Sequence, residues 1–462
     1  MKILLIMPDA HMHKLRLGRR LRSMREAPLT LTTLAALTPP DPDITIRLVD
    51  ESIDPVPLEA SADLVGISVI TGCAPRAYRL ADHFRGRGIP VVLGGVHVTL
   101  LPDEASAHAD AIVTGMAEHI WPQVIADFRA GALRKRYAAP APEGDWLTGV
   151  PIPRRDLQRR SGYMMPDTVH ATRGCRRACD FCTVPAVWPR YYKRPVGDVI
   201  ADIRSLPART FVFNDVSLVD DRAYAMELFS ALLPLGKKWG GLTTIAITED
   251  PELLDLMTRS GCVYILIGFE SFAQANLHQI RKGFNRVDAY ARAMQTLHAR
   301  GISVQGCLVF GFDHDDRSVF ASTVEHVLDL KIDIPRYSLY TPYPGTALFH
   351  RLMKEKRILS FNWEDYDTMH VVIQPAQMSP QALFDGFKWA YRETFRLRHI
   401  LRRTIRPDAA AIINFFGNLT YRIFARRLRT ESRFATPYSM GNPGRPPHIS
   451  AVIPRETPTC PA

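Results

Sequence analysis

Thr172-Arg173-Gly174-Cys175-Arg176-Arg177-Ala178-Cys179-Asp180-Phe181-Cys182 is the stretch from which the rest of the chain can be read. It follows directly on a strand-like run, Thr168 to Thr172, and crowds three of the seven cysteines into eight residues. Seven cysteines in 462 residues are too few for a disulfide scaffold, so clustered thiols point to a metal or to catalysis. Structural zinc sites are built from paired ligands and close with four. Three cysteines at spacings of four and three leave one position open.

Outward from that stretch, strand-like and helical patterns alternate. On its C-terminal side the apolar runs Thr210 to Phe213, Thr243 to Ile247, Val263 to Gly268, Ser303 to Phe310 and Arg336 to Tyr340 are separated by helical stretches, notably Pro251 to Ser260, Val287 to Arg300 and Arg317 to Leu330. With Thr168 to Thr172 they make six β/α units, which suit a partial barrel whose active site lies at the strand C-terminal ends. On the N-terminal side, Ile3 to Met7, Ile44 to Leu48, Leu64 to Ile70, Val91 to Gly94 and Ala111 to Thr114 read as short buried strands. Amphipathic stretches Leu29 to Leu37 and Pro75 to Arg87 lie between them, so the fold class is α/β with a doubly wound parallel sheet ahead of the barrel. The expected organisation is a Rossmann-like domain over 1–137, a linker over 138–160, a partial barrel over 161–374, a helical basic extension over 375–435 and a disordered tail over 436–462.

Composition narrows the function. With 46% hydrophobic and 23% charged residues the chain is a folded globular protein. It has no apolar run long enough to span a bilayer and no cleavable signal pattern, so a cytoplasmic location is expected. The net charge of +11 is concentrated late, in Arg392 to Arg406 and Arg422 to Arg429, and no recognition motif accompanies it. Nucleic acid is therefore not expected as a partner.

Three thiolates on a four-iron, four-sulfur cluster leave one iron free to bind amino and carboxylate groups together, and S-adenosylmethionine (SAM) offers both. The spacing Cys175, Cys179, Phe181, Cys182 resembles the CxxxCxΦC signature of the radical SAM superfamily. That resemblance implies a [4Fe-4S] cluster on the three cysteines, an external electron donor of the flavodoxin or ferredoxin type, and a 5′-deoxyadenosyl radical. It also implies that Phe181 lies against the adenine, that Asn214 and Asp215 hold the methionine amino group, and that Glu270 and Ser271 contact the ribose or carboxylate. A plain core aromatic at Phe181 and an internal salt bridge at Glu270 are the blander readings of the same residues. Strand-end turns at Gly311-Phe312-Asp313 and at Thr341 to Thr346 resemble family elements, although turn chemistry alone accounts for them.

An open α/β domain before such a barrel resembles the cobalamin-binding subfamily. The resemblance assigns Ser68, Thr71, Gly72, Gly94 and Gly95 to the cobalamin site and matches Gly115-Met116-Ala117-Glu118 to a Gly-x-x-Glu helix start. His11, in Asp9-Ala10-His11-Met12-His13-Lys14, matches a cobalt-ligating motif imperfectly, because Lys14 stands where Gly belongs. The subgroup most similar in Trp239 to Gln374 contains hopanoid C-2 methylases, which implies methylation of an unactivated carbon on a small-molecule or lipid substrate. An oxidative cyclase or ring-rearranging enzyme with the same cofactors, and a non-catalytic cobalamin or iron–sulfur sensor or carrier, are the alternatives. A methylthiotransferase would bring a second cysteine triplet, and only Cys73 precedes the motif. The stretch Ala409 to Arg429 interleaves apolar residues with arginines, which suits either peripheral membrane contact or packing on the barrel.

Overall fold

Runs rich in Val, Ile and Leu that are buried on both faces need cover on both sides, and the chain supplies it twice with helices. The computed structural model describes residues 1–9, 14–17, 20–138, 146–405, 410–438 and 447. His11 lies outside the described residues, as does nearly all of 436–462.

The first sheet contains β1 (Lys2–Met7), β2 (Thr45–Asp50), β3 (Leu64–Ser68), β4 (Val91–Gly94), β5 (Ala111–Thr114) and β6 (Arg136–Ala138). Their order is β2-β1-β3-β4-β5-β6 and every pairing is parallel. The side chains of β1 alternate accordingly. Ile3 and Leu5 pack with Leu31, Trp121 and Val124, whereas Leu4 and Ile6 pack with Ala77, Leu80 and Phe84 on the opposite face. The chain changes direction between β1 and β3, and a doubly wound sheet opens its crevice at such a switch point.

The second sheet runs in sequence order, β7 (Thr168–Val169), β8 (Thr210–Phe213), β9 (Lys238–Thr243), β10 (Cys262–Glu270), β11 (Ser303–Phe310) and β12 (Ile334–Leu339). All five pairings are parallel, giving a partial barrel. Two strands differ from expectation. The third lies earlier than Thr243 to Ile247, whose end forms a 3-10 turn over Ile245–Glu249. The reason is close strand approach: a Cβ on Gly240 would stand 2.7 Å from the Tyr264 ring, so glycines occupy a strand they intrinsically disfavour. The first strand stops at Val169, and Thr172–Arg173 instead pairs antiparallel with Tyr192–Lys193.

A third, polar sheet joins Lys14–Leu17 and Arg20–Glu26 to Tyr163–Met165, a feature that apolar patterning does not announce. The segment read as a linker is pinned where it is described. Arg155 and Arg194 clamp the fully buried Asp202 at 2.7 and 2.8 Å, and Arg160 takes both oxygens of Asp167.

Helices α1 (Pro380–Thr394), α2 (Leu397–Thr404) and α3 (Ala410–Thr430) close the chain. Helix α3 packs on the barrel: Asn414 and Asn418 are buried and donate to Asp333, while Arg403 of α2 donates to Asn418. Its opposite side leaves Phe416 and Ile423 exposed. Among the described residues no helix is long and apolar enough to cross a membrane.

Candidate active site

The cysteine loop leaves the barrel at the C-terminal end of β7 and is held from several sides. Gly174 sits at φ +86°, where any Cβ would overlap the Arg190 carbonyl, so only glycine lets the loop turn under its own return strand. Asp215, just past β8, accepts from the Ala171 and Thr172 N–H groups and from the Thr172 hydroxyl at 2.6 Å. Burial pushes its carboxyl up to about 6 against the pull of those donors. Further along, the Asp180 N–H donates to Ile280 O, Leu348 N–H donates to Asp180 O, and the Tyr340 hydroxyl donates to the Asp180 carboxylate at 2.9 Å.

The three thiols are mostly enclosed. Burial pushes Cys175 and Cys179 up to about 12 and raises Cys182 as well, so the free loop holds thiols and a metal must displace their protons. Among the described residues no three His, Cys, Asp or Glu side chains converge as they would on a single ion. An all-sulfur trio along one loop fits a polynuclear iron–sulfur cluster, on which each cysteine sulfur binds a different iron and the sulfurs therefore stand farther apart than the ligands of one ion.

Glu270 ends β10 at φ +62°, where the ladder register shifts. Its carboxylate meets Lys282 Nζ at 2.6 Å with both side chains about one-tenth exposed. A Cβ on Gly268 would stand 2.7 Å from that ammonium, so the glycine makes room for the pair. Burial would lower the Lys282 ammonium, but Glu270 more than offsets it. The salt-bridge reading of Glu270 is therefore the one the geometry displays. Lys282 is the residue that sequence reading missed, and the only signal for it was that a buried strand-end Glu requires a cation.

The other residues expected around the nucleotide divide in two. Phe181 is half-buried and meets Tyr340 edge to face at 6.3 Å. Asn214 donates to Ala27 O at 3.1 Å. The oxygens of Asp215 accept from the loop, and Ser271 Oγ accepts from Ala273 N–H and Asn276 Nδ2. Both shape the backbone around the site.

At the switch point of the first sheet lies a mostly apolar cavity of about 280 Å³ that opens to solvent. Ser68, Gly94 and Gly95 line it, with Gly115 and Glu118. Gly95 has φ +106°, and a Cβ there would lie 2.8 Å from Val69 backbone atoms. Bare backbone at the strand ends lets a large planar cofactor with polar edges approach closely, and the lining fits cobalamin in character. Thr71 and Gly72 line a neighbouring cavity together with Thr183, Tyr343 and Tyr366. Thr71 Oγ1 meets the fully buried His97 at 3.3 Å. Glu118 does more than begin a helix, since it pairs at 2.7 Å with Arg173, which lines the first cavity and stands two residues before Cys175.

The family model of the radical SAM superfamily matches residues 169–323. The bacteriochlorophyllide d C-12(1)-methyltransferase of Chlorobaculum tepidum is 30% identical over 421 residues, covering 87% of this chain and 90% of that protein. The hopanoid C-2 methylase of Rhodopseudomonas palustris is 24% identical over 72% of this chain and 65% of that one. Among solved structures, the cobalamin-dependent SAM radical enzyme OxsB with aqua-cobalamin and SAM bound superposes with a TM-score of 0.65 at 13% identity, over 93% of this chain and 72% of that one.

Proposed function

Because the chain belongs to the radical SAM superfamily, in the methyltransferase group that includes the bacteriochlorophyllide d enzyme, we propose that it is a cobalamin-dependent radical SAM C-methyltransferase. One observation carries this reading. The cavity at the first sheet's switch point and the cysteine loop share a wall, through the Arg173–Glu118 pair. Two cofactor sites that must exchange a methyl group and a radical on one substrate have to abut in this way.

In this reading Cys175, Cys179 and Cys182 hold the cluster. Phe181, Asn214, Asp215, Glu270 and Ser271 border SAM, with Glu270 paired to Lys282 and Asp215 also ordering the loop backbone. Ser68, Thr71, Gly72, Gly94 and Gly95 surround the cobalamin. When bound, the cluster supplies the electron that cleaves SAM, and the cobalamin carries the methyl group. The chain's own part is positional. Asp215 fixes where the cysteine loop begins, Tyr340 and Leu348 fix its middle, and Lys282 keeps a positive charge beside Cys179 and Cys182. Tyr343 and Tyr366 wall the neighbouring cavity.

The substrate class follows the relatives, one named for a bacteriochlorophyllide and one for a hopanoid, so a large and mostly apolar small molecule or lipid is methylated on carbon. A flavodoxin- or ferredoxin-type protein delivers the electron. Leu397, Leu401 and Ile405 on or beside α2, with Phe416 and Ile423 on α3, support peripheral contact with the membrane in which such a substrate dissolves. Reconstituted anaerobically with iron, sulfide and cobalamin, the protein should turn SAM over under a strong reductant, releasing 5′-deoxyadenosine and S-adenosylhomocysteine. Serine at all three cysteines should abolish both iron loading and turnover. Iron-loaded protein that forms neither product would refute the assignment.

A further inference from the structure

On the outer side of the barrel, between the helix Val319–Asp329, α1 and α3, lies a groove of about 600 Å³ that the chemistry above does not use. Arg317, Lys388, Arg392 and Arg429 line it over a floor that includes Phe320 and Trp389. On α1 the lining positions Asp385, Lys388, Trp389 and Arg392 recur at helical spacing, so one helix face is given to the groove. The floor is built closely: a Cβ on Gly386 would overlap the Phe320 ring, and glycine there lets the two helices close beneath the arginines.

The charges are what distinguish this place. Among the described residues the side chains of Arg317, Arg392 and Arg429 make no hydrogen bond or ion pair, although they line one groove from three different segments. Neighbouring arginines on the same helical layer are nearly all paired, Arg396 and Arg398 with Glu393 and Arg402 with Asp329. The groove's own carboxylate, Asp385, lies 3.2 Å from Lys388, which leaves three guanidinium groups unmatched. Like charges gathered in a concavity repel unless an anion joins them, and guanidinium forks match phosphate oxygens two at a time.

We propose that this groove binds a phosphate-bearing ligand, a monoester or diphosphate group whose attached apolar or planar part rests on Trp389. The same chemistry is offered by a free phosphorylated metabolite and by an acidic lipid headgroup, and the experiment separates them. The cluster-loaded protein is titrated with pyrophosphate, and separately floated with phosphatidylcholine vesicles with and without phosphatidic acid. The double variant Arg392→Gln/Arg429→Gln is compared with Arg398→Gln/Arg402→Gln, which removes the same net charge from arginines that already have carboxylates. Arg317→Gln serves as an independent third probe from a different segment.

Saturable pyrophosphate binding weakened by about tenfold or more in Arg392→Gln/Arg429→Gln and in Arg317→Gln, but kept in the control, supports the site. If phosphatidic acid vesicles show that pattern, the source is a headgroup; if pyrophosphate alone shows it, the source is soluble. Absence of saturable binding to either, or an equal loss in the control, overturns the proposal, because the attraction would then be diffuse charge that added salt screens.

Discussion

Lys282 and Glu270 show how one residue's environment is another residue's chemistry. A carboxylate at the end of a barrel strand, on backbone with positive φ, is tolerable only with an adjacent cation. Removing one partner strands the other, so Lys282→Met should destabilise the fold by about 3–5 kcal/mol. The double variant Lys282→Met/Glu270→Gln should lose clearly less than the sum of the singles in a urea-unfolding cycle. Asp315 offers a pH test at the same scale. It accepts from the Gly311 and Phe312 N–H groups and from Asn276, yet burial pushes it up to about 6, above the ordinary carboxylate value. The folded state thus holds its proton more tightly than the unfolded chain. The stability this gives is complete below the unfolded carboxylate range and is lost as pH rises through about 6. Asp315→Asn keeps the shape and should flatten that part of the stability profile, by up to about 3 kcal/mol between pH 4 and 7. Urea midpoints measured across that range check it.

At the level of elements, the loop between β7 and the Tyr192–Lys193 ribbon is the one on which the chemistry depends, and it is tied to a distant strand. Tyr340→Phe leaves the buried Asp180 carboxylate without its hydroxyl donor, which should cost about 1–3 kcal/mol locally and speed loss of iron to a chelator, while far-ultraviolet dichroism stays unchanged. Much of this architecture is legible in the chain. Strand β11 occupies Ser303–Phe310 as read, because the apolar run Cys307 to Phe310 marks it even though Gln305 and Gly306 interrupt the pattern ahead of it. Strand β9 was misplaced, because Gly240 and Gly241 have no strand propensity and are there for contacts that only the folded sheet reveals. The cysteine trio was legible because its three thiols are local in sequence. Lys282, Tyr340 and Arg173 were not, since their roles depend on partners 12, 160 and 55 residues away that no spacing rule links.

Across the whole molecule, the two parallel sheets are joined by contacts at several places. Glu118 pairs with Arg173, the Trp363 indole donates to Glu104 at 3.0 Å, Arg79 meets Glu364 at 2.8 Å, and Thr168 and Asn214 both donate to Ala27 O. A Cβ on Gly72 would lie 3.1 Å from Tyr366 O, so the first domain's loop touches the segment that follows the barrel. Glu118→Gln uncouples a nearly buried ion pair from the cysteine loop, and we expect faster hydrogen exchange in Thr172–Arg173 and Tyr192–Lys193 without global unfolding. The clasp formed by Glu104, Trp363, Gly72 and Tyr366 has one more consequence. It joins the first domain to residues beyond the last barrel strand, separately from the peptide that connects the sheets. Nicking that peptide between Ala138 and Trp146 should therefore yield two fragments that still elute as a single particle in gel filtration.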